Sequence, residues 1–225
     1  MLYENQRTDL YNITQKLYQK DLIQLSFGNV SMRVSAEHLL ITPSGVAYDV
    51  LDPQDMVVIT PQGEVVEGTY APSSEMPMHT ILYRESPEVN AVIHTHSLHA
   101  MAFAAVGQTI PVITTEGLAA GGPVPVSDYA CPGTAEQGWA ALRAMQGPPP
   151  VSGVLLRNHG VLVAGPSLAR AFSIAYQIEL SAQVYFMALQ IGKPVILTDE
   201  QIAEIRSTYA SIRSAHAEKH NNGNK

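Results

Sequence analysis

Eight histidines stand at positions 38, 79, 94, 96, 99, 159, 216 and 220. Two of them, in His94-Thr95-His96, directly follow the apolar run Ala91-Val92-Ile93. In an extended segment, residues i and i+2 point to the same face, so both imidazoles can approach one cation from one side. A catalytic zinc takes about three protein ligands and keeps one position open. His159 is the natural third. It sits in Arg157-Asn158-His159-Gly160, between two apolar runs, and the glycine after it lets the backbone bend close to a site. Neutral imidazoles suit zinc and other first-row metals without any thiolate. A polar strand end is the alternative for an isolated H-x-H pair, and spacing alone leaves it open.

Ser73-Ser74-Glu75 precedes a helical pattern. Two hydroxyls and free backbone N–H groups at a helix start favour an anion. The neighbouring carboxylate can serve as a metal ligand, as a proton-transfer base, or as each in turn. An ordinary capped helix start is the other reading of that tripeptide. Glu75 and His79 are i,i+4 neighbours, which makes His79 a supporting or packed residue rather than a ligand. Gly28-Asn29-Val30-Ser31 and Thr42-Pro43-Ser44-Gly45 are two more small polar loops, of the kind that cradle phosphate without a lysine. Neither G-x-x-x-x-G-K-[ST] nor G-x-S-x-G occurs, against a nucleotide P-loop and against an α/β-hydrolase nucleophile.

These residues need a scaffold, and the chain supplies a mixed one. Leu10, Ile13, Leu17, Leu22 and Leu25 lie close to helical spacing. Short strands are expected at 30–34, 38–41, 56–59, 91–93 and 111–115, and an apolar hairpin at 151–156 and 160–164. Helices are expected at 76–83, 99–106, 134–145, 167–189 and 199–209. This is an α/β single domain, residues 1–215, with a polar flexible tail at 216–225. The 225 residues, 46% hydrophobic and 15% charged, bury a core of ordinary size. The net charge of −7 argues against an electrostatic grip on nucleic acid or an anionic membrane. The single cysteine, Cys131, excludes an internal disulfide and a thiolate zinc site. No apolar run is long enough to span a membrane, and the start MLYENQRTDL shows no signal-peptide pattern, so a cytoplasmic protein is expected.

Taken in order, Gly28-Asn29-Val30-Ser31, Ile41-Thr42-Pro43-Ser44-Gly45, Ser73-Ser74-Glu75, His94-Thr95-His96 and Asn158-His159-Gly160 resemble the motifs of the class II aldolase/adducin family, over roughly Asn5 to Ile205. The resemblance implies a central, mainly antiparallel sheet flanked by helices, assembled as a homotetramer with active sites at subunit interfaces. It implies that His94, His96 and His159 hold a divalent metal, normally Zn2+, with Mn2+ or Co2+ as substitutes. It implies that Glu75 completes the resting metal site and then swings off to transfer a proton. It also implies phosphate contacts from Gly28, Asn29, Ser44, Gly45, Ser73 and Ser74, with Thr42 beside them.

The reaction so implied is retro-aldol cleavage of a short-chain ketose 1-phosphate to dihydroxyacetone phosphate and an aldehyde. The sugar phosphate is the only partner besides further copies of the chain. One stretch departs from the family. Its aldolases bring a tyrosine from a neighbouring subunit to the aldehyde oxygen, whereas Ile113-Thr114-Thr115-Glu116-Gly117 holds none. Thr115 falls nearest, and Glu116 beside it is the candidate acid/base residue. Tyr129 and Tyr209 read as rim and helix-face residues. Three other branches share the scaffold: a ketopentose-5-phosphate 4-epimerase, a methylthioribulose-1-phosphate dehydratase with a glutamate base near Glu116, and a non-enzymatic adducin-like module. The last lacks the complete histidine triad present here.

Overall fold

In the computed structural model, which describes residues 1–222, seven strands form one sheet in the order β4-β3-β2-β1-β5-β7-β6. They are β1 (Asn29–Arg33), β2 (Leu39–Ile41), β3 (Val57–Ile59), β4 (Val65–Glu67), β5 (Ala91–Thr95), β6 (Gly153–Leu156) and β7 (Gly160–Gly165). Every pairing is antiparallel. Six helices flank the sheet: α1 (Glu4–Gln19), α2 (Met76–Glu85), α3 (Leu98–Val106), α4 (Ala135–Met145), α5 (Leu168–Ile191) and α6 (Asp199–Asn222). The α/β single domain with an antiparallel sheet between helices is therefore what forms.

Both faces of the sheet are covered. On one, Leu10 and Leu17 of α1, Phe103 of α3 and Ile174 of α5 join Val30, Ile93, Val161 and Val163. On the other, Met78 and Ile81 of α2 and Leu142 of α4 meet Ile41, Val92, Leu162 and Ala164. Alternate residues of one strand feed opposite cores, so the strands read as continuous apolar runs. Register then sets the site. Asn29 lies opposite His94 and Ser31 opposite Val92 across the β1–β5 ladder. Directly opposed residues share a face, so Asn29, Ser31 and His94 all look toward α2.

Four elements differ from the sequence reading. Helix α1 stops at Gln19, and Asp21 takes a φ of 56°. Leu22 is still buried there, but Leu25 is 67% exposed and off the apolar face. Strand β4 was not expected. It is an edge strand with Val65 53% exposed, so burial imposes no alternation on it. Residues 111–115 are not a strand. Pro111 offers no N–H, and pairing is limited to an isolated Ile110–Val124 bridge before a 3-10 turn at Thr115–Leu118. Helix α6 runs to Asn222 instead of ending at Tyr209. The stretch to that point holds no glycine or proline, so residues 216–222 of the expected flexible tail are helical. Positions 223–225 lie outside the described residues.

Candidate metal centre and active site

Strand β5 delivers His94, and His96 follows just beyond it, where its N–H donates to Leu22 O at 3.0 Å. His94 Nδ1 donates to Val161 O at 2.9 Å, which leaves the Nε2 lone pair free. That Nε2 lies 2.9 Å from His96 Nε2, as a shared face requires. His159 arrives from the β6–β7 turn, where Asn158 takes a φ of 58°. The His159 ring centroid is 4.7 Å from that of His94 and 5.0 Å from that of His96. Gly160 is needed for close approach: a Cβ there would collide with the Thr95 carbonyl and stand 3.0 Å from His94 Cε1.

Glu75 caps α2 at its N-terminal end, with Oε2 3.1 Å from His94 Nε2 and Oε1 3.3 Å from His159 Nε2. One donor atom from each of Glu75, His94, His96 and His159 falls within 4.8 Å of every other. Glu75 Oε1 is buried and has no hydrogen-bond partner. A buried, unpaired carboxylate oxygen is costly, and a cation among these four donors would satisfy it. The set of three imidazoles and one carboxylate fits a divalent first-row metal.

The electrostatics agree. Burial alone would raise the Glu75 pKa, but His94, His159 and the Asn29 amide hold it well below the usual carboxylate range. Burial, with His94 and His159 nearby, pushes His96 down to about 3. Burial and His94 push His159 down to about 4. A charged Glu75 carboxylate and neutral His96 and His159 imidazoles are states that ligation requires.

Gly28, Asn29, Ser44, Gly45, Ser73 and Ser74, from three separate segments, line one cavity of about 400 Å³ together with Glu75, His96 and His159. Among the described residues, no lysine or arginine lines it. Asn29 Nδ2 donates to Glu75 Oε2 at 2.8 Å. Ser73 Oγ accepts from the Glu75 N–H at 3.2 Å. Ser44, Gly45 and Ser74 are exposed. Thr42 is fully buried, and its hydroxyl accepts from the Val30 N–H at 3.1 Å, which makes it a brace for β1.

Glu116 is exposed, in the 3-10 turn, and does not line this cavity within one chain. Its own backbone N–H and the Thr114 hydroxyl lower its pKa. Thr115 and Tyr209 share a separate cavity of about 410 Å³ with Leu197 and Gln201. Tyr129 is 64% exposed.

Three supporting residues escaped the sequence reading. Gln137 of α4 is 3% exposed and hydrogen-bonds His159 Nδ1 at 2.7 Å. It sits on the helix's buried stripe with Ala141 and Met145, and a polar residue on that stripe was the available signal. Phe27 stacks on the His96 ring at 5.7 Å between centroids. Tyr48 donates its hydroxyl to Gly28 O at 2.6 Å, and burial, then Glu75, raises that hydroxyl's pKa.

Comparison with known proteins agrees with this geometry. Residues 8–186 match the family model described as Class II Aldolase and Adducin N-terminal domain. The 5-deoxy-D-ribulose 1-phosphate aldolase of Bacillus thuringiensis serovar kurstaki is 32% identical over 210 residues, 93% of this chain and 97% of that protein. The L-fuculose phosphate aldolase of Escherichia coli K12 is 36% identical over 186 residues, 82% of this chain and 84% of that protein. A solved structure of an L-fuculose 1-phosphate aldolase superposes with a TM-score of 0.85 at 34% identity, covering 91% of this chain and 95% of that one. With a family match over most of its length, and the three-histidine, one-glutamate cluster standing in the matched region, the chain belongs to the class II aldolase and adducin family.

Proposed function

We propose that this aldolase-like lyase cleaves a short-chain ketose 1-phosphate to dihydroxyacetone phosphate and an aldehyde. The substrate class is the one named for its relatives, an L-fuculose 1-phosphate or a 5-deoxyribulose 1-phosphate. The observation that carries this reading is a single cavity joining the Glu75–His94–His96–His159 cluster to three neutral, hydroxyl- and N–H-rich segments. Zn2+ is the expected metal, with Mn2+ or Co2+ as substitutes. Bound there, the cation supplies Lewis-acid stabilisation of negative charge developing on the substrate.

The chain's own residues do the rest. Ser44, Ser73, Ser74, Asn29 and the backbone of Gly28 and Gly45 hold the phosphoryl group and so fix the three-carbon half. Glu75 moves a proton at the carbon next to the cleaved bond, donating it to release dihydroxyacetone phosphate and abstracting it in the synthetic direction. Glu116, placed by a neighbouring chain of a homotetramer, handles the proton on the aldehyde oxygen. The proposed setting is the cytoplasm, where sugar phosphates are available.

The test is incubation of zinc-loaded protein with a panel of ketose phosphates, with products identified directly. Release of dihydroxyacetone phosphate is expected. An epimerised or dehydrated product in its place would overturn the aldolase reading. His159→Ala leaves two imidazoles and a carboxylate that must also leave the metal to move protons, and is expected to bind metal at least about 10-fold more weakly in titration against a chelator while remaining folded. Wild-type metal affinity in that variant would remove His159 from the site.

A further inference from the structure

Behind Glu75, a file of four side chains runs into the sheet. Asn29 Nδ2 donates to Glu75 Oε2 at 2.8 Å, and Asn29 Oδ1 lies 2.5 Å from His79 Nε2. His79 Nδ1 lies 2.6 Å from Ser31 Oγ, which lies 2.8 Å from the Tyr83 hydroxyl. Asn29 is 3% exposed, Ser31 and His79 are fully buried, and Tyr83 is 2% exposed. None of His79, Ser31 and Tyr83 lines the cavity.

The carboxylate end fixes every proton in this file. An ionised carboxylate only accepts, so Asn29 turns its N–H edge to Glu75 and its oxygen to His79. His79 Nε2 must then carry the ring proton. Burial, then the nearness of His94, pushes the His79 pKa down to about 3, so the ring is neutral and Nδ1 accepts. Ser31 donates to Nδ1 and accepts from Tyr83. All donors thus point toward Glu75. The amide of Asn29 passes no proton onward, so the file orients and does not conduct. An amide turned over by 180° would aim its oxygen at Glu75 and its NH2 at the His79 N–H, and would lose both hydrogen bonds.

We propose that His79 is a positioning residue. Its ring locks the Asn29 amide with the N–H edge facing the cavity, where Asn29 serves first the Glu75 carboxylate and then, when that carboxylate swings off, the substrate's phosphoryl oxygens. The second half rests on the aldolase reading, and the first does not.

The first half is read without turnover. Long-range 1H–15N spectra of protein labelled at histidine, with His79 assigned by its loss in His79→Gln, are expected to show a neutral ring protonated at Nε2 at pH 7. A proton on Nδ1 would overturn the locking. The second half is read by a double-mutant cycle. His79→Leu removes the N–H that orients the Asn29 amide, and with it that amide's proposed hydrogen bond to the charged phosphoryl group, and is expected to lower kcat/KM about 10- to 100-fold. His79→Gln restores an N–H near that position and is expected to recover most of the loss. In an Asn29→Ala background, His79→Leu is expected to cost nothing further. An equal loss in both backgrounds would make His79 a packing residue only. Ser31→Ala, milder to the fold, is expected to follow the same pattern more weakly, so the cycle stands even where His79→Leu fails to fold. A wild type that releases no dihydroxyacetone phosphate would overturn the aldolase reading and the phosphate half with it, while the tautomer spectrum decides the locking alone.

Discussion

The two roles proposed for Glu75 make opposite demands on it. To ligate a cation it must be charged and fixed, and to move a proton at carbon it must let go. Its surroundings supply both conditions. Oε2 accepts from the Asn29 amide at 2.8 Å and lies 3.1 Å from His94 Nε2, while Oε1 has no hydrogen bond to break. Glu75→Gln keeps the size but cannot exchange protons. Turnover is expected to fall roughly 100-fold or more, the usual worth of general acid–base catalysis, with metal retained by the three histidines. In deuterated water the wild type is expected to exchange a carbon-bound proton of dihydroxyacetone phosphate and the variant is not; exchange at the wild-type rate would remove Glu75 from the proton transfer. The proposed phosphate donors divide by their second duties. Asn29 and Ser73 also hold Glu75, whereas Ser44 and Ser74 are exposed at the cavity. Ser74→Ala is therefore the cleaner probe. Loss of one neutral donor to a dianion, about 1.5–3 kcal/mol, weakens phosphorylated substrates roughly 10- to 100-fold. Steady-state kinetics with a non-phosphorylated analogue are expected to change little, and an equal loss on both substrates would make Ser74 a loop-shaping residue.

Elements decide which of these residues were readable in the sequence. His94 and His96 were legible because strand period 2 is a local rule, and β5 obeys it. His159, Glu75 and the phosphate loops come together only through long-range pairing, and no local pattern states that pairing; their ordered motifs supplied it through family resemblance. Gln137 and the His79–Ser31–Tyr83 file were not assembled, because their partners lie on other elements and their signal is just a polar residue on a buried face. Residues 111–115 misled for the opposite reason. They have a strand's composition, but Pro111 cannot donate to a ladder, and among the described residues no strand pairs with them. The β6–β7 turn shows how tightly an element can specify a ligand. Gly160 pairs with Leu156 at the hairpin end while its Cα faces the Thr95 carbonyl. Gly160→Ala forces β7 away from β5 and carries His159 with it. A stability loss of about 1–3 kcal/mol, typical of overpacking, is expected in chemical denaturation. Metal affinity is expected to fall as well, by titration against a chelator. An unshifted midpoint with wild-type metal affinity would show that the turn is not constrained.

Within the molecule as a whole, the cavity of this chain lacks a second acid/base group for the proposed cleavage. Cleavage needs a proton acceptor at the hydroxyl that becomes the aldehyde. Besides Glu75, His96 and His159, no titratable side chain among the described residues lines the cavity. Glu116 is exposed on the 3-10 turn, outside that cavity, and its carboxyl is held below the ordinary range by its own N–H and the Thr114 hydroxyl. Its exposure outside its own chain's cavity, rather than its basicity, is what leaves it available to a neighbour's site, the role proposed for it. The arrangement has a sharp consequence. Glu75→Gln and Glu116→Gln chains are each expected to be nearly inactive alone. When mixed and allowed to exchange subunits, some interfaces pair the intact Glu116 of one chain with the intact Glu75 of the other. Part of the wild-type activity is then expected to return, rising with the fraction of hybrid tetramers measured by native mass spectrometry. Verified hybrids without recovery, from two inactive parents, would place both glutamates in the site of a single chain. A Glu116→Gln protein with full activity would instead remove Glu116 from the reaction and leave its aldehyde-side acid to another residue.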